Sequence, residues 1–404
     1  MGKVIITCGK SHPMGRSIED VYVVESLRTP FGKRNGALRN MNAVDLLGNL
    51  ALEILKKIPI EPDIVEDFMI GCVDQIGEQS ANIARNAWLS AGLPEAVPAV
   101  TVDRQCGSSL QSIQFGATGI ASGIYNFVLA GGVESMSRVP MYSSISWESN
   151  PMTVNLRKRY NIKDDWFSQA RAASIIAEKY HIGRDEMDNL SFESHMRAKN
   201  NLENLRNEIV AVQGTDRNGE PFLMHDDEGV RPDTDIQKLN KLKDAFPGIK
   251  DITAGNSSQI SDGASLTAIC SDHVAEKYGL DKRAKLKSFT VAGVNPIEML
   301  TGPITVTEKI LNKENLAIED IDYFEVNEAF APVVLAWIKT TGADPGRVNV
   351  NGGAIALGHP LGATGSRLVG SMVRTLERKR AKKGLIAVCE GGGMANGVIV
   401  ERIE

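Results

Sequence analysis

Three glycine-flanked turns carry the side chains of this 404-residue chain best suited to chemistry. The first is Val100-Thr-Val-Asp-Arg-Gln-Cys106-Gly-Ser-Ser-Leu110. The second is Asn351-Gly-Gly-Ala-Ile-Ala-Leu-Gly-His359-Pro-Leu-Gly-Ala-Thr-Gly365. The third is Cys389-Glu-Gly-Gly-Gly-Met394. A histidine beside a thiol takes its proton and makes the nucleophilic thiolate. A second thiol serves as acid in one half-reaction and base in the next. Cys106, His359 and Cys389 together therefore suit acyl transfer through a thioester intermediate. Dense glycine lets backbone approach a ligand and exposes N–H groups that hold a developing oxyanion. Asn327, in Glu325-Val-Asn-Glu-Ala-Phe330, lies at a predicted strand end and can hold a water or a carbonyl. Taken singly, each residue has a plainer reading: a buried structural cysteine, a loop histidine beside proline, a turn asparagine. The glycine settings of both cysteines and the histidine favour the chemical reading. A Cys, His, Cys metal site lacks close ligand pairs, so no metal is expected. No turn matches the dinucleotide fingerprint or the phosphate-binding P-loop.

The elements around these turns repeat. Val97, Val100 and Val102 predict a strand before Cys106, and Leu110, Ile113, Ala117 and Ile120 a helix after it. That places Cys106 at a helix N-terminus, where the dipole is expected to ease loss of the thiol proton. Earlier, residues 20–26 read as a strand, 43–57 as a helix, 65–70 as a strand and 82–91 as a helix. Phe127-Val-Leu-Ala130 is a buried strand running into Gly131-Gly-Val-Glu-Ser-Met136. The second half follows the same plan at an offset of 256 positions: Ile54-Leu-Lys-Lys57 matches Ile310-Leu-Asn-Lys313, and Asp63-Ile-Val-Glu-Asp-Phe68 matches Glu319-Asp-Ile-Asp-Tyr-Phe324. The His359 turn leads into a helix through Leu368, Met372 and Leu376, and the strand Leu385–Val388 enters the Cys389 turn. Such ordered similarity predicts a duplicated α/β unit with mostly parallel sheets, helices on both faces. With pseudo-twofold packing, equivalent turns meet at one surface. The polar stretch 137–258, with helices near 167–180 and 184–202, reads as an insertion covering the site. The resulting domains are 20–136 completed by 259–282, an inserted loop domain 137–258, and 283–404.

Composition narrows the function. Charged residues are 24 % and hydrophobic residues 42 %, as in a globular protein, and a net charge of -5 argues against nucleic acid as a partner. Five widely spaced cysteines without a C-x-x-C pair suit a reducing compartment. No apolar run is long enough to span a bilayer, residues 1–20 read as an irregular extension without signal-peptide character, and Arg402-Ile-Glu404 is not a peroxisomal tail. A cytoplasmic location without membrane contact is expected.

At this point the motifs resemble a family, the thiolases, over nearly all of the chain after about residue 20. The resemblance rests on Asp103-Arg-Gln-Cys-Gly-Ser-Ser109, Gly131-Gly-Val-Glu-Ser-Met-Ser137, Asn327-Glu-Ala-Phe330, Asn351-Gly-Gly through Gly358-His-Pro-Leu-Gly362, and Cys389-Glu-Gly-Gly-Gly393. It implies a five-layered α-β-α-β-α fold of two duplicated halves with an inserted loop domain, assembled as a homodimer or homotetramer. It implies exchange of acyl-CoA plus acetyl-CoA with 3-ketoacyl-CoA plus CoA, without a cofactor beyond the coenzyme A thioesters themselves. Cys106 would be acylated, His359 would activate it, and Cys389 would move the second proton. Asn327 would position an oxyanion-hole water, and the N–H groups of Cys106 and Gly391 would form a second hole. Arg231, Leu242, Phe246 and Ser258 would bind CoA, although Leu242 and Phe246 also read as one face of a short core helix. Related Claisen enzymes, decarboxylating or of the hydroxymethylglutaryl-CoA type, and a non-catalytic acyl-CoA-binding scaffold are the alternatives. Ala395-Asn-Gly397, Gln259 and Trp166-Phe167 depart from common family patterns and leave acyl-chain preference open.

Overall fold

The structure, a computed structural model, describes residues 19–145, 150–163 and 167–403. The extension 1–18, Cys8 and Trp166 lie outside the described residues. Helix α1 (Ala43–Lys57) forms as its pattern predicts. Asn42 caps it by accepting from the Val44 N–H at 2.8 Å, and Leu46, Leu47, Leu50 and Ile54 form its buried stripe. The first half adds α2 (Ile83–Ser90), α3 (Ser108–Ala121) and strands β1 (Val21–Arg28), β2 (Asp67–Gly71), β3 (Ala99–Val102) and β4 (Phe127–Ser135). The insertion includes α4 (Gln169–Lys179) and α5 (Arg184–Asn200). Then come β5 (Ser261–Ser271), β6 (Ala284–Gly293), α6 (Gly302–Glu314), β7 (Tyr323–Val326), α7 (Ala331–Thr341), α8 (Thr364–Lys379), β8 (Lys383–Glu390) and β9 (Met394–Arg402).

The strands run in the order β7-β8-β9-β6-β1-β5-β4-β2-β3. The first half contributes β1-β5-β4-β2-β3 and the second β6-β9-β8-β7, so the first four strands from the β1–β6 seam correspond and β3 is an addition of the first half. That seam is short, with Tyr22 opposite Lys285 and Val23 opposite Ala284. The expectation of mostly parallel pairing is corrected. Only β2–β3, β2–β4 and β7–β8 pair in parallel among these strands, and the rest are antiparallel. Two connections explain it. β8 and β9 are joined by the glycine turn 391–393, and a tight hairpin permits only antiparallel strands. β5 returns from the insertion at the end of the sheet where β4 left it, with Asp262 opposite Ser135, so no crossover helix intervenes.

Five layers result. α1 and α2 cover one sheet face through Phe68, Leu129, Val133 and Leu266. α6 and α7 cover the far face of the second half through Ile310, Trp337, Phe324 and Leu385. Between the two halves of the sheet lie α3 and α8, where Leu110, Ile113, Leu368 and Met372 meet Val128, Ile386 and Val398. The insertion is tied to the core by charge as well as contact. Fully buried Arg28 holds Glu208 at 2.6 Å and Asp227 at 2.6 and 2.9 Å. Ser194 of α5 donates to Glu328 at 2.7 Å, beside the Asn327 turn.

Candidate active site

Each turn stands where a strand end meets a helix or a hairpin. Cys106, 3 % exposed, lies between β3 and α3, after Gln105 at φ +48°. His359 follows Gly358, whose φ of +110° suits glycine. The His359 N–H lies against Ser261 Oγ at 3.1 Å and the Gln259 carbonyl at 3.2 Å. Asn327 follows β7, and its N–H donates to the Ala387 carbonyl at 3.0 Å. Cys389 is the next-to-last residue of β8 and fully buried.

These side chains form a connected cluster at the meeting of the halves. The Gly391 N–H and the N–H of Cys106 itself point at the Cys106 sulfur, and the charge of Cys389 is felt there. The Asn327 side chain and the Ala329 N–H reach the Cys389 sulfur. Asn327 Nδ2 lies 3.4 Å from His359 Nε2. On the other side of the ring, His359 Nδ1 lies 2.6 Å from Thr364 Oγ1, and that hydroxyl donates to the Pro360 carbonyl at 2.9 Å. Thr364 has its one proton engaged, so it accepts from Nδ1–H. The imidazole is thus the Nδ1–H tautomer, with Nε2 free to take a proton. Asn327 Oδ1 is buried and has no hydrogen-bond partner.

Burial dominates the electrostatics. It pushes the Cys106 thiol well above its ordinary value; the charges of Cys389 and Glu390 add to this, and the two N–H groups offset only part. The backbone N–H groups around the turn do lower the thiol, as its place before a helix leads one to expect, but burial raises it by more. Burial likewise raises Cys389 to about 12 and, with Arg367 nearby, lowers His359 to about 3. Burial thus favours the neutral forms of both thiols and of the imidazole.

Each of the residues expected to bind CoA has a defined setting. The Ser258 N–H donates to the Ala329 carbonyl at 2.9 Å, beside Cys389. Phe246 stacks at a tilt on Phe330, centroids 6.3 Å apart. Leu242 packs at Gly255, and exposed Arg231 donates its N–H to His195 Nδ1 at 3.1 Å. The helical reading of Leu242 and Phe246 is corrected. The helix Ile236–Asn240 stops short of Leu242, and Phe246 belongs to the strand Asp244–Phe246, paired with Ile249–Thr253. Three residues near the reactive groups escaped sequence reasoning. Thr364 lies in the His359 glycine run and its spacing was the one available signal. Tyr142, at φ +70° and close enough for its phenol to feel the Cys106 charge, gave none. Glu390 was visible only as a neighbour of Cys389. Among the described residues, no group of three or more His, Cys, Asp or Glu side chains is placed to hold a metal ion, and no helix is long and apolar enough to cross a membrane.

Comparison with known proteins gives the family. Family models described as thiolase, N-terminal domain, and thiolase, C-terminal domain, match residues 21–273 and 280–402. The chain is 45 % identical over 397 residues to the steroid 3-ketoacyl-CoA thiolase FadA6 of Mycobacterium tuberculosis, covering 96 % of each. It is 40 % identical to a 3-ketoacyl-CoA thiolase of Vibrio parahaemolyticus, covering 96 % of this chain and 100 % of that one. Among solved structures, it is similar to the acetyl-CoA acetyltransferase of Bacillus anthracis, with TM-score 0.88 and 32 % identity over 96 % of this chain and 100 % of the other. It is also similar to human mitochondrial 3-ketoacyl-CoA thiolase in complex with CoA, with TM-score 0.86 and 33 % identity over 96 % and 99 %.

Proposed function

The chain belongs to the thiolase family, and from that premise we propose how its residues move an acyl group between coenzyme A thioesters. It is an acyltransferase that takes CoA thioesters as substrates. The observation that carries the residue assignment is the linked cluster of Cys106, Cys389, Asn327 and His359. In thiolysis, Cys106 gives its proton to His359 Nε2 and its sulfur attacks the 3-keto carbon. The bond between Cα and Cβ breaks, and its electron pair stays on the departing acetyl-CoA carbon. Cys389 protonates that carbon. CoA then enters, gives its thiol proton to Cys389 and attacks the acyl-Cys106 thioester. Cys106 leaves as the thiolate and recovers its proton from His359. The N–H groups of Cys106 and Gly391 hold the oxyanion of the acyl-enzyme steps, and Asn327 Oδ1 holds a water at the other oxyanion.

Arg231, Leu242, Phe246 and Ser258 hold CoA, with Arg231 at its anionic end. A cavity of about 320 Å³ lined by Tyr160, Ile162, Phe167, Pro296 and Ile297 opens beside the hairpin turn, where Pro296 lies against Gly393. It is the place for an acyl tail longer than acetyl, which favours a degradative 3-ketoacyl-CoA thiolase. The similarity to relatives named 3-ketoacyl-CoA thiolase supports that reading. The decarboxylating and scaffold alternatives have less support, since the Cys–His–Cys–Asn set is complete. The domain bounds 20–136 with 259–282, 137–258 and 283–404, a homodimer or homotetramer, and a cytoplasmic location belong to the same proposal. Strand β3, at one end of the sheet with Val100 half-exposed, offers an edge for self-association. CoA-dependent thiolysis over a chain-length series tests the reading. Faster cleavage of longer 3-ketoacyl-CoAs than of acetoacetyl-CoA supports it, and cleavage of acetoacetyl-CoA alone contradicts the tail cavity.

A further inference from the structure

The floor under the Cys106 turn comes from the second half. In the β8–β9 hairpin, Val388 pairs with Asn396 and Glu390 with Met394. Paired residues share a face, as do residues two apart, so Glu390 and Asn396 point with Val388 toward the central helices. Both are buried. They meet the first half at Gly107, where a β-carbon would lie 2.0 Å from Glu390 Oε1 and 2.8 Å from both Asn396 Nδ2 and Oδ1. Carboxyl and amide therefore both crowd the same side of Gly107. Asn396 Nδ2 donates to the Gly107 carbonyl at 2.9 Å. Asn396 Oδ1 and both Glu390 oxygens receive no hydrogen bond.

An ionised Glu390 would leave three buried acceptors crowded together without a donor, an expensive arrangement. One proton on the carboxyl removes the conflict. We propose that Glu390 is a positioning residue whose protonated carboxyl donates to Asn396 Oδ1, fixing the amide that grips the Gly107 carbonyl and so holding the Cys106 turn in place. This rests on Cys106 being the acylated thiol. The charged groups facing Glu390 are Arg104, which favours the carboxylate, and Asp103, which opposes it; burial outweighs Arg104 and raises the carboxyl to about 8. Cys106 and Cys389 also face it, and a charged Glu390 pushes both thiols up. Above about pH 8 the carboxyl ionises, the chain to Gly107 loses its donor, and both thiols become harder to ionise.

Two measurements test this. Difference infrared spectra of wild type against Glu390→Gln are expected to show a protonated-carboxyl stretch at pH 7 that fades as pH rises through 8. This reading needs no turnover and is independent of the assignment of Cys106. Glu390→Gln keeps a donor and loses the ionisable group, and a charged Glu390 raises the Cys106 thiol, so iodoacetamide alkylates Cys106 of the variant several times faster than that of wild type at pH 9. Glu390→Ala and Asn396→Ala each lower kcat about tenfold with KM little changed, while Glu390→Gln restores most of kcat. A residue that only fills space would make Gln and Ala alike. Absence of the band at pH 7, or equal alkylation of wild type and Glu390→Gln at pH 9, overturns the proposal. Failure of Cys106 to become acylated by substrate, with the band present, would instead remove the assignment on which it rests.

Discussion

Replacing Thr364 by valine removes one hydroxyl and little else, because the two side chains have nearly the same shape. In the structure that hydroxyl accepts from His359 Nδ1–H at 2.6 Å and donates to the Pro360 carbonyl at 2.9 Å. Thr364 is fully buried and His359 is 4 % exposed, so water does not readily replace the lost acceptor. The imidazole then has two poor options. It can keep its proton on Nδ1 with no partner, at a cost of about 1–3 kcal/mol. Or it can move the proton to Nε2, which faces Asn327, and lose the lone pair that accepts from the nucleophile. At about 1.4 kcal/mol per tenfold in rate, either option lowers kcat by about five- to a hundredfold. Neither atom contacts Arg231, Leu242, Phe246 or Ser258, the residues proposed to hold CoA, so KM should change little, and Thr364→Ser, which keeps the hydroxyl, should recover most of the rate. Steady-state thiolysis of acetoacetyl-CoA measures all three quantities. A valine variant within twofold of wild-type kcat, or one whose loss lies in KM, refutes the tautomer argument.

Other substitutions test different parts of the account. Arg28→Met strips the counter-ion from buried Glu208 and Asp227 and should cost about 3–5 kcal/mol of stability in urea unfolding; an unchanged midpoint would show that the pair does not anchor the insertion. Burial, with Arg231 adding to it, lowers His195 to about 4, from 6.5 when unfolded. The unfolded chain therefore binds the extra proton as pH falls from 6.5 to 4, and the stability held above that window is lost across it. His195→Asn should remove about 1.4 kcal/mol per pH unit of that loss, read as a flatter acid limb in urea unfolding, and an identical limb in both proteins contradicts the assignment. Ile297→Trp narrows the cavity beside Gly393, so cleavage of long 3-ketoacyl-CoAs should fall at least tenfold more than that of acetoacetyl-CoA. An equal fall for both substrates would place the acyl tail elsewhere.

Much of this was legible in the residues because it depends on local pattern. The apolar side formed by Leu46, Leu47, Leu50 and Leu55 predicts a helix over 43–57, and α1 has those bounds. The offset of 256 positions foretold two similar α/β halves, and glycine density marked the three turns. Strand direction was less accessible, because it depends on where the insertion returns and on how tightly 391–393 turns. The helical reading of Phe246 failed because apolar spacing over so short a stretch does not separate helix from hairpin. The burial of Cys106 was hidden for a physical reason: sequence displays a helix N-terminus but not how completely the two halves close over it. Thr364 and Asn396 act through contacts made only after folding, Asn396 across the interface of the two halves, so neither announces itself.

The central claim is that Cys106 carries the acyl group. The most direct measurement mixes the protein with acetoacetyl-CoA in the absence of free CoA, quenches in acid and maps the peptides by mass spectrometry. One acetyl group on the peptide containing Cys106, absent from Cys106→Ala even though that variant still binds CoA, is the predicted result. An acetyl group found on Cys389 instead, or an unmodified Cys106 in protein that turns over substrate, would contradict it.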